Sequence, residues 1–213
     1  MTGWRLRAAS AAVAVAADHL VGDPPDRLHP VAWFGRAMTR REQRAWSDHQ
    51  LSGVRHLGAG VAAAAVPVAL LWAGARRMGG AAADGALSVA VVAATLGARS
   101  LDRRAAEVGE ALAAGRIDEA RRLLPALVGR DPAGLDEAEI ARAVVESVAE
   151  NTVDAVVAPL LWAAVGGPVA AAAYRAVNTL DAMVGYRSDR YRRFGWASAR
   201  TDDVGARRHG SRR

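Results

Sequence analysis

Three uncharged and mostly apolar stretches do most to limit how this chain can fold, namely residues 57–75, 85–98 and 156–173. A helix that crosses a membrane needs about 20 predominantly apolar residues. Residues 57–75 meet that length and end at two arginines, so they are predicted to span. Residues 85–98 reach a full span only if Asp84 is placed at the membrane interface. The sequence therefore predicts a helical membrane protein, with a soluble Ala-rich helical bundle as the alternative.

The third stretch is interrupted by Gly166-Gly167-Pro168. Glycine and proline break regular helices, so the interruption predicts one of two structures. One is a kink within a single span, and the other is the tip of a re-entrant hairpin that enters and leaves on the same side. The hairpin would bring the polar residues on either side of the stretch to one membrane face.

The distribution of arginines predicts the membrane topology, because they are concentrated in residues 27–55 and 99–154. The positive-inside rule places both regions in the cytoplasm. Residues 57–75 and 85–98 would then cross outward and back. The first apolar segment, residues 8–17, is accordingly expected to be interfacial or re-entrant. A cleaved signal peptide is the alternative for that segment, since Ala14-Val15-Ala16 resembles a signal-peptidase site.

The formal net charge of +6 allows nucleic acid, anionic lipid or phosphorylated substrates as partners. Zinc-finger spacing and aromatic residues interleaved with basic ones are missing from the sequence, so a nucleic-acid partner is not expected. The chain contains no cysteine, which excludes disulfides and thiolate chemistry. It also has no Walker phosphate loop and no Gly-x-Ser-x-Gly elbow.

The polar region at about residues 99–150 reads as a soluble helical insertion between membrane helices. Helices are predicted over residues 101–114 and 117–128, each followed by a glycine. Asp136 and Glu139 have the spacing of a capping box that begins a third helix. The fold class is therefore predicted to be all-α, with residues 1–213 forming one multi-pass membrane domain.

Three carboxylates, Glu146, Glu150 and Asp154, recur every four residues and share one helix face. Like charges at this spacing repel unless a cation or a basic partner neutralises them. Asn151 adds a neutral oxygen, and Mg²⁺ takes carboxylate and amide oxygens. The stripe predicts a magnesium site formed by Glu146, Glu150, Asn151 and Asp154. A solvated surface of an amphipathic helix is the alternative.

Two further groups of polar residues are candidates for the same site. Tyr174, Asn178 and Asp181 share one face of the helix that follows the glycine-proline interruption. A re-entrant hairpin would bring them to the carboxylate stripe. Asp23 and His29 lie in rigid turns defined by prolines, close to the predicted membrane surface. Their alternative role is to stabilise those turns.

Taken together, the motifs are typical of one family. In chain order they are Gly22-Asp23-Pro24, His29-Pro30-Val31, Gly35-Arg36, Val128-Gly129-Arg130-Asp131, residues 146–154, Ala158-Pro159-Leu160, residues 174–181, Met183-Val184-Gly185-Tyr186, Arg190-Tyr191, Phe194-Gly195 and Asp202-Asp203-Val204. The chain resembles the CobD/CbiB family of cobalamin biosynthesis, the adenosylcobinamide-phosphate synthases. The resemblance covers residues 18 to 204.

The resemblance implies a multi-pass enzyme of the inner cell membrane. Such an enzyme joins a carboxylate of the corrinoid adenosylcobyric acid to the amine of aminopropanol or its phosphate, using ATP and Mg²⁺. The implied catalytic residues are Glu146, Glu150 and Asp181, the last as a base toward the incoming ammonium. The implied substrate-binding residues are Asp23, His29, Arg130, Asn178, Tyr186, Arg187 and Arg190. Besides these substrates, the lipid membrane and other cobalamin-assembly enzymes are the expected partners.

The sequence departs from the family pattern at three places. Ala155 and Ala182 replace the glycine and the serine that are usual there. After Val204 the Arg-rich residues 205–213 do not follow the family pattern, so the chain is expected to be truncated at its C-terminus. This expectation leaves two alternatives to an active enzyme. One is an inactive or non-catalytic membrane subunit that acts as a corrinoid-binding scaffold, and the other is a soluble helical interaction protein.

Overall fold

The computed structural model describes residues 3–22, 27–129 and 131–205. Their α-helices, in chain order, are α1 (Gly3–Val21), α2 (Pro30–Ala45), α3 (Gln50–Met78), α4 (Gly80–Thr95), α5 (Ala98–Ala113), α6 (Ile117–Leu123), α7 (Glu137–Thr152), α8 (Ala158–Val184) and α9 (Trp196–Gly205). A 3-10 turn (Leu124–Ala126) follows α6, and a π-helical segment (Val153–Val157) joins α7 to α8. The structure is 83% helical and has no strand in these ranges, which confirms the all-α prediction.

Three helical stretches are long and apolar enough to cross a membrane: Gln50–Met78, Gly80–Ala113 and Glu137–Val184. Each contains one of the predicted apolar segments. On α3 the side chains of Val66, Leu70 and Leu71 are exposed. An exposed apolar face of this extent is typical of a surface that contacts lipid. The prediction of several helices that are long and apolar enough to cross a membrane is confirmed.

The long helix α8 reverses direction at Gly167, whose φ of 68° and ψ of −160° are not helical. A Cβ atom on Gly97 would lie 3.7 Å from the Cβ of Ala155 and 4.0 Å from the guanidinium of Arg175. In one straight helix Ala155 and Arg175 would be about 30 Å apart. Residues 158–166 and 168–184 are therefore the two antiparallel arms of a hairpin. Of the two alternatives for this segment, the hairpin is the one that the structure contains.

The tip of the hairpin is held by two residues from other helices. The Arg7 guanidinium donates hydrogen bonds to the carbonyl oxygens of Ala164 (3.2 Å) and Val165 (2.8 Å). These carbonyls lie at the end of the first arm, where helix carbonyls commonly lack partners within the helix. The indole of Trp72 lies 3.2 Å from the position that a Cβ on Gly167 would occupy. The tip therefore reaches the level of residue 72 on α3.

The first helix runs beside α4 over its whole length. At one end the Leu6 side chain lies 3.5 Å from where a Cβ on Gly85 would be. At the other end the Arg99 guanidinium donates to the carbonyls of His19 and Leu20, each at 2.7 Å. The expectation that this segment is interfacial or re-entrant stays a prediction. Its small side chains let it pack lengthwise into the bundle, where Ala14 is fully buried.

The insertion folds around a core of its own. The buried residues of this core are Val108, Ala111, Ala120, Leu124, Ile140 and Ala143. The predicted capping box is confirmed, because Asp136 accepts from the backbone N–H of Glu139 (2.8 Å) and Glu139 accepts from that of Asp136 (2.9 Å). The assignment of residues 1–213 to a single domain stays a prediction, and residues 206–213 of the predicted tail lie outside the described ranges.

Candidate active site

A polar cavity of about 290 Å³ lies where the insertion meets the membrane helices. Its lining residues are His29, Leu96, Gly97, Ser100, Leu101, Arg104, Ala126, Leu127, Asn151, Asp154, Ala155, Arg175 and Asn178. They come from the start of α2, the junction of α4 with α5, the turn after α6, the end of α7 and both sides of the hairpin. Segments that are distant in sequence therefore form one site.

One wall is built by the end of α7 and the π-helical segment. The Ser147 hydroxyl donates to the carbonyl of Leu127 (2.6 Å), which ties α7 to the turn after α6. The Asn151 side-chain amide donates to the carbonyl (2.8 Å) and to the hydroxyl oxygen (3.0 Å) of Ser147, which fixes its orientation. Asp154 follows in the π-helical segment and is buried, with 7% of its surface exposed. Such π-helical turns within α-helices occur frequently at functional sites.

The second arm of the hairpin supplies the opposite wall. Arg175 and Asn178 lie on it three residues apart, so their side chains share a face. The Asn178 amide donates to the carboxylate of Asp202 (3.3 Å) on α9. This bond occupies the amide nitrogen and leaves its carbonyl oxygen available to accept. The second wall therefore presents a guanidinium and an amide oxygen.

His29 closes the cavity from the start of α2. Its Nδ1 accepts from the backbone N–H of Val31 (3.1 Å), so the side chain caps α2. A neutral imidazole with Nδ1 as acceptor carries its proton on Nε2. His29 therefore caps α2 and also lines the cavity, and its role in substrate binding stays a prediction.

The charged residues that line the cavity carry one more positive than negative formal charge. Arg104 and Arg175 carry one positive charge each, and Asp154 carries the negative one. The Arg104 guanidinium donates to the carbonyl of Ala126 (3.1 Å), which anchors its side chain at the rim. The lining of the site therefore combines two guanidiniums with one carboxylate.

The comparison with known proteins agrees with the motifs. A family model described as CobD/Cbib protein matches residues 11–206 of the chain. The chain belongs to the CobD/CbiB family.

Several curated relatives carry the name cobalamin biosynthesis protein CobD. The protein of Mycobacterium tuberculosis (strain ATCC 25618 / H37Rv) is 47% identical over 208 residues, which are 96% of this chain and 65% of that protein. The protein of Pelobacter propionicus is 46% identical over 91% of this chain and 60% of its own length. That of Rhodobacter capsulatus is 41% identical over 92% of this chain and 64% of its own length. The chain thus spans less than two thirds of these relatives, and no solved structure matches it significantly.

Within this CobD/CbiB chain, four of the predicted site residues line the cavity: His29, Asn151, Asp154 and Asn178. Asp181 lies one turn beyond Asn178, outside the cavity lining, and its carboxylate lies against Gly185. Asp23 and Arg130 fall outside the described residues. Which of these side chains bind substrate stays a prediction.

The predicted metal set is divided by the fold. Asn151 and Asp154 line the cavity, whereas Glu146 and Glu150 are exposed and do not. In the described parts of the chain, no three His, Cys, Asp or Glu side chains come together as a metal-binding group. The stripe separates because the π-helical segment begins at Val153, between Glu150 and Asp154, and changes the angular spacing there. Metal binding by these residues stays a prediction.

The three predicted residues nearest the C-terminus lie away from the cavity. Tyr186 and Arg187 are exposed. Arg190 donates to the buried carboxylate of Glu42 (3.1 Å) and stacks on Trp46, 4.8 Å from the ring centroid. Hydrogen bonding with Tyr191 and with Glu42 holds the pKa of Arg190 above its ordinary value. In this conformation Arg190 joins α2 to the segment before α9.

Sequence reasoning missed three polar residues of the cavity, Ser100, Arg104 and Arg175. Arg175 had a usable signal, because it lies one turn before Asn178 within a family motif. Arg104 and Ser100 had none, since exposed arginines and serines are common on helix surfaces. Only the packing of α5 against α6 and α7 brings them to the site.

Proposed function

We propose that this chain catalyses or supports the amide-forming step of cobalamin biosynthesis. In that step a carboxylate of adenosylcobyric acid condenses with the amine of aminopropanol phosphate, activated by ATP with Mg²⁺. Family membership supports the pathway, and the relatives' names state cobalamin biosynthesis. The observation that carries the site is the cavity, which unites predicted residues from three separate segments with two arginines.

The charges of the cavity favour the phosphorylated amine over the free one. Arg104 and Arg175 together exceed the single charge of Asp154 by one positive charge. A phosphate monoester carries about −1.5 to −2 charges at pH 7, so aminopropanol phosphate is a net anion. Free aminopropanol is a cation and would enter a cavity of the same sign. We therefore assign the phosphate to the arginines and the ammonium to Asp154.

The cavity is too small for the corrinoid, which is the larger of the two substrates. A volume of about 290 Å³ lies at the lower end for small-molecule pockets, which run from about 300 to 1,000 Å³. A corrin ring system is far larger than an amino alcohol. We propose that the corrinoid stays outside the cavity and presents its carboxylate at the opening. Asn151 and Asn178 would orient the amine toward it.

The donor set fits a magnesium ion that is shared with substrate phosphate. Mg²⁺ in proteins is usually held by one or two carboxylates, substrate phosphates and water. Asp154 supplies one carboxylate, with one oxygen for the ion and the other for the ammonium. The Asn151 amide nitrogen is already bonded to Ser147, which leaves its oxygen as an acceptor. When bound, Mg²⁺ would neutralise phosphate charge during activation of the carboxylate. Glu146 and Glu150 are too exposed to act with them unless another group covers the stripe.

The proposal also includes the location of the enzyme in the membrane and its neighbouring proteins. The apolar helices support a place in the inner cell membrane, crossed several times, with the cavity on the cytoplasmic side where the arginines are concentrated. Other cobalamin-assembly enzymes are the proposed neighbours. On this side both ATP and a soluble amino alcohol phosphate are accessible.

The 213-residue chain, reconstituted in nanodiscs, tests this proposal by calorimetric binding of aminopropanol phosphate. We expect binding that Asp154→Asn weakens about tenfold or more, because a buried charged hydrogen-bond partner is lost. Glu146→Gln is the matched control and should bind like the parent. Equal loss in both variants would overturn the cavity assignment.

Complementation of a synthase-deficient strain distinguishes a catalytically active chain from a non-catalytic scaffold. We expect the chain to restore cobalamin synthesis from cobyric acid in a strain that lacks the synthase, and the Asp154→Asn variant to fail. If the chain binds aminopropanol phosphate but does not complement, it acts as a non-catalytic subunit. If it is recovered without detergent in the soluble fraction, the membrane proposal is wrong.

A further inference from the structure

A second cavity lies at the start of α3, on the cytoplasmic side of the proposed topology. It has a volume of about 660 Å³ and is open to the surroundings. Its lining residues are Ser47, His49, Gln50, Leu51, Ser52, Arg55 and Arg193, and we call it the α3 groove. It shares no lining residue with the candidate active site. Nothing in the proposed reaction uses it.

The α3 groove lies at the depth of lipid head groups. The uncharged part of α3 begins at Leu57, and Arg55 precedes it by two positions. The hydrocarbon core is about 30 Å thick, and residues 57–75 cover about 28 Å as a helix. Arg55 therefore lies at the membrane boundary. Leu51 and Val54 beside it are exposed, at 59% and 45%, so apolar surface continues from the span into the groove.

The cations of the groove are poorly neutralised. Among the described residues, no side chain forms an ion pair or hydrogen bond with the Arg55 guanidinium. Arg193 approaches Asp48 at 3.9 Å, and both side chains are more than half exposed. An ion pair of this length and exposure contributes little. The groove therefore holds two guanidiniums whose charge a single distant carboxylate only partly offsets.

We propose that the α3 groove binds the phosphate of an anionic phospholipid from the cytoplasmic leaflet. Guanidinium groups bind phosphate oxygens in pairs, which favours Arg55 and Arg193 as the direct contacts. Leu51 and Val54 would contact the adjoining acyl chain. This apolar border favours a lipid over a soluble phosphate compound.

The charge of the neighbouring helix supports the same ligand. Four arginines lie on α2: Arg36, Arg40, Arg41 and Arg44. Basic residues next to a span are attracted to anionic leaflets. The inference does not depend on the proposed enzymatic function, and each can fail without the other.

Lipid retention measured by native mass spectrometry tests the proposal. The full 213-residue chain is released from nanodiscs of phosphatidylglycerol and phosphatidylcholine. We expect phosphatidylglycerol to be retained preferentially, and its retention to fall about tenfold in Arg55→Gln and Arg193→Gln, because charged hydrogen bonds to phosphate are lost. Arg103→Gln is the matched control, since Arg103 is an exposed arginine on α5 whose guanidinium pairs with Glu107 (3.9 Å). It should retain lipid like the parent.

Inorganic phosphate distinguishes the two sources of a phosphate group. We expect millimolar inorganic phosphate to leave phosphatidylglycerol bound. Displacement of the lipid by inorganic phosphate would assign the groove to a soluble anion and overturn the proposal. Equal retention of both lipids, or equal loss in all three variants, would also overturn it. Circular dichroism of the variants should match the parent, because all three side chains are exposed.

Discussion

Asp154 and Asn178 line the same cavity, although a straight helix would hold them about 36 Å apart. The hairpin of α8 produces this proximity by reversing the chain at Gly167. One consequence is that a carboxylate before the apolar segment and an amide after it can act on one ligand. The geometry of the candidate site therefore depends on a turn at the far end of the hairpin.

Arg104→Gln should change which amine the cavity prefers. Without this guanidinium the cavity has no net positive charge, so we expect aminopropanol phosphate to bind about tenfold or more weakly. Binding of free aminopropanol should not weaken, because Asp154 remains in place. Titration calorimetry with both compounds measures the ratio.

The control for this change is Arg103→Gln, one position earlier on α5 and outside the cavity lining. It should leave both affinities at the parent value. If Arg104→Gln weakens the two amines equally, the cavity does not discriminate through the phosphate.

Gly167→Ala should destabilise the hairpin. The backbone at Gly167 occupies a conformation that is essentially restricted to glycine, and its occupation by another residue costs about 1–3 kcal/mol. The added methyl would also lie 3.2 Å from the Trp72 indole, closer than comfortable contact. Thermal unfolding in detergent should show a lower midpoint.

Gly74→Ala provides the comparison, since it lies within α3 and an added Cβ meets nothing within 4 Å. Alanine favours a helix over glycine by about 0.5–1 kcal/mol, so this variant should unfold at the parent temperature or above it. An unchanged midpoint in Gly167→Ala would contradict the tip geometry.

Arg7→Gln should loosen the same tip from the other side. The change removes two charge-assisted hydrogen bonds, to Ala164 and Val165, and we expect a loss of about 1 kcal/mol because the site is partly exposed. Hydrogen exchange of peptides covering residues 160–170 should become faster. Arg5→Gln, at a nearby exposed position without such bonds, should leave that exchange unchanged.

Tyr191→Phe should weaken the contact between α2 and the segment before α9. The Tyr191 hydroxyl donates to the buried carboxylate of Glu42 at 2.8 Å. Loss of a bond to a charged group costs about 1.5–3 kcal/mol, which lowers the unfolding midpoint by several degrees in a chain of this size. Tyr186→Phe changes an exposed tyrosine in the same way and should have no effect. Equal midpoints for the two variants would mean that the bond to Glu42 does not contribute.

Much of the secondary structure could be predicted because it depends on local patterns. Uncharged length predicted α3, and the Asp136 and Glu139 spacing predicted the start of α7. The Gly166-Gly167-Pro168 sequence predicted an interruption but left a kink and a hairpin open. Choosing between them requires knowing what packs against the second arm, which is a long-range property.

The carboxylate stripe shows where the periodicity argument fails. Its four-residue spacing assumes a regular α-helix, whereas the π-helical segment begins between Glu150 and Asp154. Asp154 is consequently buried in the cavity while Glu150 remains exposed. A local change in helical pitch is set by packing and is not evident in the residue types.

By itself the sequence determined the class of this protein: its apolar segments predict helices long enough to cross a membrane, and its ordered motifs are those of the CobD/CbiB family. The length and polarity of a segment and the residues of a motif depend only on that stretch of sequence, so each can be identified one segment at a time. The tertiary structure alone decided which polar groups meet, because the hairpin reversal, the lengthwise packing of α1 and the approach of α5 all depend on contacts between distant segments. Arg104 and Arg175 therefore became part of the site only when the chain was folded.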